Sequence, residues 1–168
     1  LLLDLNVLFD LGPRRARHEQ AIAVFRAERG QTCSLAISSE IDAELKRTAH
    51  KGKTDPMQAL ARALPRFPIP PVEYTDVLCP QLAKIVFPDR TAANSLTAND
   101  ISDLRHLATS IFHGLHGLIT SDSSILNCSA QLRKEFSIEV ISPESFQNDT
   151  VERRPVESQP STAEDTLT

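Results

Sequence analysis

The chain has 168 residues and a formal net charge of -4, a length that fits one domain able to bury a core. No stretch approaches the ~20 apolar residues of a membrane span, and no basic start with an apolar middle marks a signal peptide, so a soluble, cytoplasmic protein is expected. Cys33, Cys79 and Cys128 are odd in number and far apart, which argues for reduced thiols and against a disulfide framework or a zinc site.

The chain opens LLLDLNVLFDLG without Met, so the buried first strand is expected to begin upstream of Leu1 and to end at Asp4. Asn6 can cap a short helical turn through Leu11, stopped by Gly12 and Pro13. RARHEQAIAVFRAERG spaces Ala21, Ile22 and Phe25 as an amphipathic helix closed by Gly30. Cys33 to Ile37 reads as a second strand. Ser39 and Asp42 have capping-box spacing, which predicts a helix from about Glu40 to His50. Thr54, Asp55 and Pro56 open a further helix, MQALARAL.

Six prolines break the middle, Pro65 to Leu96, where only Asp76 to Val86 reads as helical, with Pro80 against it. Thr97 and Asp100 form a second capping box for a helix over about Asn99 to His113, ended by Gly114 and Gly117. Leu118 to Ser121 reads as a buried strand ending at Asp122. A short helix, Ser124 to Phe136, and a strand, SIEVIS, complete a domain over residues 1–146. Residues 147–168 form an acidic, Pro-bearing tail too poor in large apolar side chains to fold, and disorder is expected there. From Asn148 on, five acids against two arginines contribute -3, leaving -1 for the rest, so the overall charge does not exclude an anionic substrate. Strands alternating with helices imply an α/β domain with a mostly parallel central sheet and helices on both faces, and no internal repeat interrupts it.

Binding sites in such sheets form beyond the carboxyl ends of the strands. Asp4 and Asp122 both end strands there. Glu44 and Asp103 lie a turn inside helices that start from the same edge, flanked by apolar neighbours, where capping does not explain an acid. Glu40, Asp42 and Asp100, in the first turns, have that plain explanation. Four converging carboxylates repel unless a cation neutralises them. Oxygen-only ligation suits Mg²⁺ or Mn²⁺, and hence metal-assisted phosphodiester hydrolysis. The commoner reading of isolated acids is solvated surface or caps.

LLLDLNVLFDL, ISSEIDAELKR, NDISDLRHLATS and LITSDSSIL, in this order from residue 1 to about residue 142, resemble the PIN domain, the metal-dependent nuclease fold that includes the VapC-type ribonuclease toxins. The resemblance implies a single three-layer α/β/α domain and an endoribonuclease dependent on Mg²⁺ or Mn²⁺. Asp4, Glu44, Asp103 and Asp122 take the places of the acidic, metal-binding quartet, with Glu44 binding metal or orienting the attacking water. Asn6 matches a site-organising polar residue and Thr120 a hydroxyl beside the last acid. Glu40 and Asp100 are alternative ligands, Glu40 being one turn from Glu44. Two departures stand out: Ser123 and Ser124 follow Asp122 where many members carry a further acid for a second metal, and Ser110 stands where Ala is usual. The toxin comparison implies an antitoxin partner and a homodimer.

Arg14, Arg15, Arg17, Lys46, Arg47, Lys51 and Lys53 are candidate contacts to an RNA backbone, against the plainer reading of a solvated basic face. His18, His106, His113 and His116 read as ordinary surface or core histidines. The alternative function is a catalytically inactive PIN-like binding or scaffold module. An aspartyl-phosphate enzyme or receiver fits poorly, because Asn6 stands where the former needs an Asp and neither accounts for Asp103.

Overall fold

The computed structural model describes residues 1–48 and 56–145. In chain order the elements are β1 (Leu2–Leu3), α1 (Leu5–Phe9), α2 (His18–Arg29), β2 (Ile37–Ser38), α3 (Glu40–Thr48), α4 (Pro56–Ala63) and β3 (Arg66–Phe67). Then follow α5 (Val72–Val86), α6 (Pro88–Ala92), α7 (Ala98–Phe112), β4 (Gly117–Ile119), α8 (Ser123–Leu126), α9 (Ser129–Phe136) and β5 (Glu139–Ile141). The chain is a mixed α/β protein with a small parallel sheet of three strands in the order β1-β4-β5. β2 and β3 form a second parallel pair, and a parallel bridge from Leu2 to Ala36 lays that pair alongside β1. Edge to edge the strands therefore run β3-β2-β1-β4-β5.

Alternation along the strands splits the core in two. Leu2, Leu118 and Val140 face one apolar cluster, with Leu82 of α5, Leu107 of α7 and Leu132 of α9. Leu3, Ile37 and Ile119 face another, with Val7 of α1, Val24 of α2 and Ile41 of α3. β1 and β4, buried on both faces, are apolar throughout, as parallel strands tend to be. Backbone pairing runs one residue past the strands, from Asp4 N–H to the Ile119 carbonyl and from Thr120 N–H to the Ile141 carbonyl. Asp4 and Thr120 thus stand at the carboxyl edge of the sheet.

Several elements differ from expectation, each for a local reason. Asn6 lies inside α1, whose cap position is Asp4, so its amide is free for other partners. The second strand starts at Ile37, because Cys33 to Leu35 make no ladder. Ser39 does not close a capping box with Asp42: its hydroxyl accepts from Ile69 N–H, while Asp42 pairs with Arg66. The proline-rich middle contains more structure than its sequence suggests. α5 starts four residues earlier than expected and tolerates Pro80 because both Pro80 and Asp76, whose carbonyl loses its partner, lie on the solvent side. Gly114, at φ +60, ends α7, whereas Gly117 belongs to β4, where a Cβ would run into the Glu139 backbone. The last expected helix divides into α8 and α9 around Cys128. His50, Lys51, Lys53, Thr54, Asp55 and the 147–168 tail lie outside the described residues.

Candidate metal centre

Asp4, Glu44, Asp103 and Asp122 line one cavity of about 230 Å³, with Asn6, Thr48 and Asn99 adding polar groups and Leu5 and Phe9 an apolar side. The fold makes this convergence. β1 and β4 deliver Asp4 and the Thr120–Asp122 turn to the same edge, while α3 and α7 start nearby and contribute from their inward faces.

Asp4 is nearly inaccessible, at 2% exposure. Its Oδ2 accepts from Thr120 Oγ1 at 2.6 Å and from Asn6 Nδ2 at 2.8 Å. Asn6 in turn accepts from Ser121 N–H at 3.1 Å, and Thr120 Oγ1 accepts from Asp122 N–H at 3.0 Å. These bonds fix the turn after β4 against the end of β1. Asp122 also caps α8, one oxygen accepting from Ile125 N–H at 3.1 Å. Its other oxygen remains for the cavity.

Glu44 meets a residue that sequence reading treated as ordinary. His106, fully buried on α7, donates from Nε2 to Glu44 Oε2 at 2.7 Å, and its Nδ1 meets Ser38 Oγ at 2.7 Å. The available signal was spacing: His106 follows Asp103 by three residues and so shares its helix face. Ser38, Thr48 and Asn99 gave no comparable signal, because a small polar residue at an element's end has many uses.

Glu40 and Asp100 lie elsewhere. Glu40, at 0% exposure, accepts from Ser102 Oγ at 2.6 Å and pairs with Arg105 at 3.2 Å and Arg47 at 3.8 Å. Its role is therefore not the helix cap expected from its position. Asp100 completes the capping box with Thr97 in both directions and pairs with Arg90. Burial pushes the Asp100 carboxyl up, but the Thr97 N–H and hydroxyl and the Arg90 guanidinium hold it below the ordinary range.

The electrostatics of the cavity run the other way. Burial, then the charges of Asp4 and Asp122, push the Asp103 carboxyl up to about 8. Burial also raises Asp4, against the pull of His106 and Thr120. Burial would lower His106, yet its bond to Glu44 and the charges of Asp4 and Glu44 hold it above its usual value. Carboxylates that resist ionisation together are a site short of positive charge, and an all-oxygen donor set fits a hard divalent cation. Among the described residues no three acidic, imidazole or thiol groups already stand close enough to hold an ion. Repelling carboxylates spread apart until a cation draws them in, so binding would require side-chain movement.

Of the basic candidates, Arg14, Arg15, Arg17 and Lys46 are exposed. Arg17 donates to the Ser121 carbonyl at 3.2 Å and pairs with Glu144, beside the Asp122 turn. Arg47 is engaged by Ser102 and Glu40. Arg90, not singled out from sequence, stacks over Phe87 at 4.9 Å and pairs with Asp100.

Neither protein-family models nor curated proteins give a match to this chain.

Proposed function

We propose that this chain is a PIN-like endoribonuclease that uses Mg²⁺ or Mn²⁺ to hydrolyse phosphodiester bonds in RNA. The observation that carries the reading is the shared cavity of Asp4, Glu44, Asp103 and Asp122 at the carboxyl edge of a parallel sheet. The strand order β3-β2-β1-β4-β5 and the two apolar clusters on opposite sides of the strands support the three-layer α/β/α arrangement of that family.

In this reading Asp4, Asp103 and Asp122 hold the ion and Glu44 either completes its ligands or orients water. A bound divalent ion supplies charge stabilisation at the phosphate and an acidified water near neutral pH. Asp4 is held by Thr120 and Asn6, and Asp122 by the Ile125 N–H, so these two acids are oriented toward the cavity and gathering the ligands falls to movement of the other side chains. Arg14, Arg15, Arg17 and Lys46 supply cations for phosphate contacts near the rim. An antitoxin and a second copy of the chain are the partners that the toxin resemblance implies.

Cleavage of single-stranded and structured RNA with Mg²⁺, Mn²⁺ or EDTA tests the reading, with Asp4→Asn and Asp103→Asn beside the parent. Activity dependent on metal and lost in both variants is expected. Cleavage that survives EDTA or both substitutions would overturn it.

A further inference from the structure

Among the described residues the Glu44 carboxylate, unlike those of Asp4 and Asp122, has no backbone or hydroxyl anchor, and its side chain is the longest of the four. What holds it is His106, which the nuclease reading does not use. We infer that Ser38 and His106 form a positioning relay that aims Glu44 at the metal cavity; this rests on the proposed metal site.

Both ring nitrogens of His106 are engaged by buried partners. Ser38 Oγ accepts from Glu40 N–H at 3.2 Å and meets His106 Nδ1 at 2.7 Å. Nε2 faces a carboxylate, which only accepts, so it carries a proton and donates to Glu44 Oε2 at 2.7 Å. One Glu44 oxygen is thereby held and the other is left for the cavity. Ser38 and His106 are both at 0% exposure, so no water competes for these bonds.

The relay also spans three elements. Ser38 ends β2, Glu44 lies on α3 and His106 on α7, so the separation of the two helices that carry Glu44 and Asp103 is set by buried side-chain bonds. Groups that hydrogen-bond metal-ligating carboxylates orient them, and losing such a group costs roughly 10–100-fold in metal affinity. His106 is thus a positioning residue, acting on the metal through Glu44.

Mn²⁺ titration of the full chain by calorimetry is the test, with folding of each variant monitored by thermal melting. His106→Leu is expected to weaken Mn²⁺ binding about tenfold or more, and His106→Gln, whose amide keeps a donor, to recover part of the loss. Combining His106→Leu with Glu44→Gln should weaken binding no further than Glu44→Gln alone, because both act on one carboxylate. Ser38→Ala, a smaller change to the fold, should weaken binding several-fold. If the histidine variants melt lower but bind Mn²⁺ as the parent does, or if the two losses multiply, the relay is structural only and the inference fails. A parent that does not bind Mn²⁺ removes the metal site itself, and the relay with it.

Discussion

Two glutamates one turn apart on α3 reach the same partner helix and meet opposite environments. Glu40 is taken up by Ser102 of α7 and by the guanidinium groups of Arg47 and Arg105. Glu44 is taken up by His106, one turn further along α7, and faces Asp4, Asp103 and Asp122. The first cluster sets one buried carboxylate against two guanidinium groups. The second holds four acids against one imidazole, and the high Asp103 pKa, about 8, registers the imbalance. A buried acid with arginines is part of the scaffold. Converging acids without them are the feature on which the proposed cation site rests.

Substitutions can separate the two clusters. Asp103→Asn should give the largest effect, abolishing metal-dependent cleavage in an RNA assay. It should also raise the melting temperature of the metal-free protein above pH 8 by a few degrees, on the order of 1 kcal/mol, because it removes a carboxylate that the site resists ionising. Opposite signs in activity and stability mark a functional acid. Glu40→Gln should do the reverse. With two arginines left beside a neutral amide, stability in a urea melt should fall by on the order of 2 kcal/mol, with Mn²⁺ affinity unchanged. If Glu40→Gln abolished Mn²⁺ binding while Glu44→Gln did not, the assignment of the two clusters would be reversed.

The metal-free protein should also show the imbalance in its pH dependence. The Asp103 carboxyl ionises near 3.8 in an unfolded chain and near 8 in the folded one. Between these values the folded state keeps a proton that the unfolded state has lost, so stability falls as pH rises through the window, by a few kcal/mol at most. Below the unfolded value this penalty is absent, and above 8 it is complete. Thermal melts from pH 5 to 9 should show the decline, and Mn²⁺ should stabilise more at pH 8 than at pH 6. The smallest effect belongs to the exposed basic candidates: Lys46→Ala should weaken RNA binding a few-fold and lower the salt dependence by about one released counterion. A filter-binding series over salt concentration reads both.

Strongly patterned parts of the chain were legible as sequence. Thr97 and Asp100 announced the start of α7, and the box forms in both directions. The apolar runs announced β1 and β4, with Asp4 directly after β1, whereas β4 ends at Ile119 and Asp122 caps α8 three residues on. Other elements depended on tertiary contacts. β3 is two residues long and exists through pairing with β2, and α5 survives Pro80 because its freed carbonyl faces water.

The candidate site was legible in its acids and obscure in what holds them. Glu40 and Glu44 have the same residue type, helix and face, so only the third dimension tells which meets arginines and which meets Asp4. His106 looked ordinary because its partners, Ser38 and Glu44, lie 68 and 62 residues away. Asn6 read both as a cap and, through the resemblance, as a site organiser; it lies inside α1, and its amide reaches Thr120, 114 residues along the chain.

Calorimetric titration of the full chain with Mn²⁺ near pH 7.5, beside Asp103→Asn, asks most directly whether the acidic cavity is a cation site. Saturable binding by the parent that disappears in Asp103→Asn is the predicted result. A parent that gives no more binding than Asp103→Asn, with both chains folded, would contradict it.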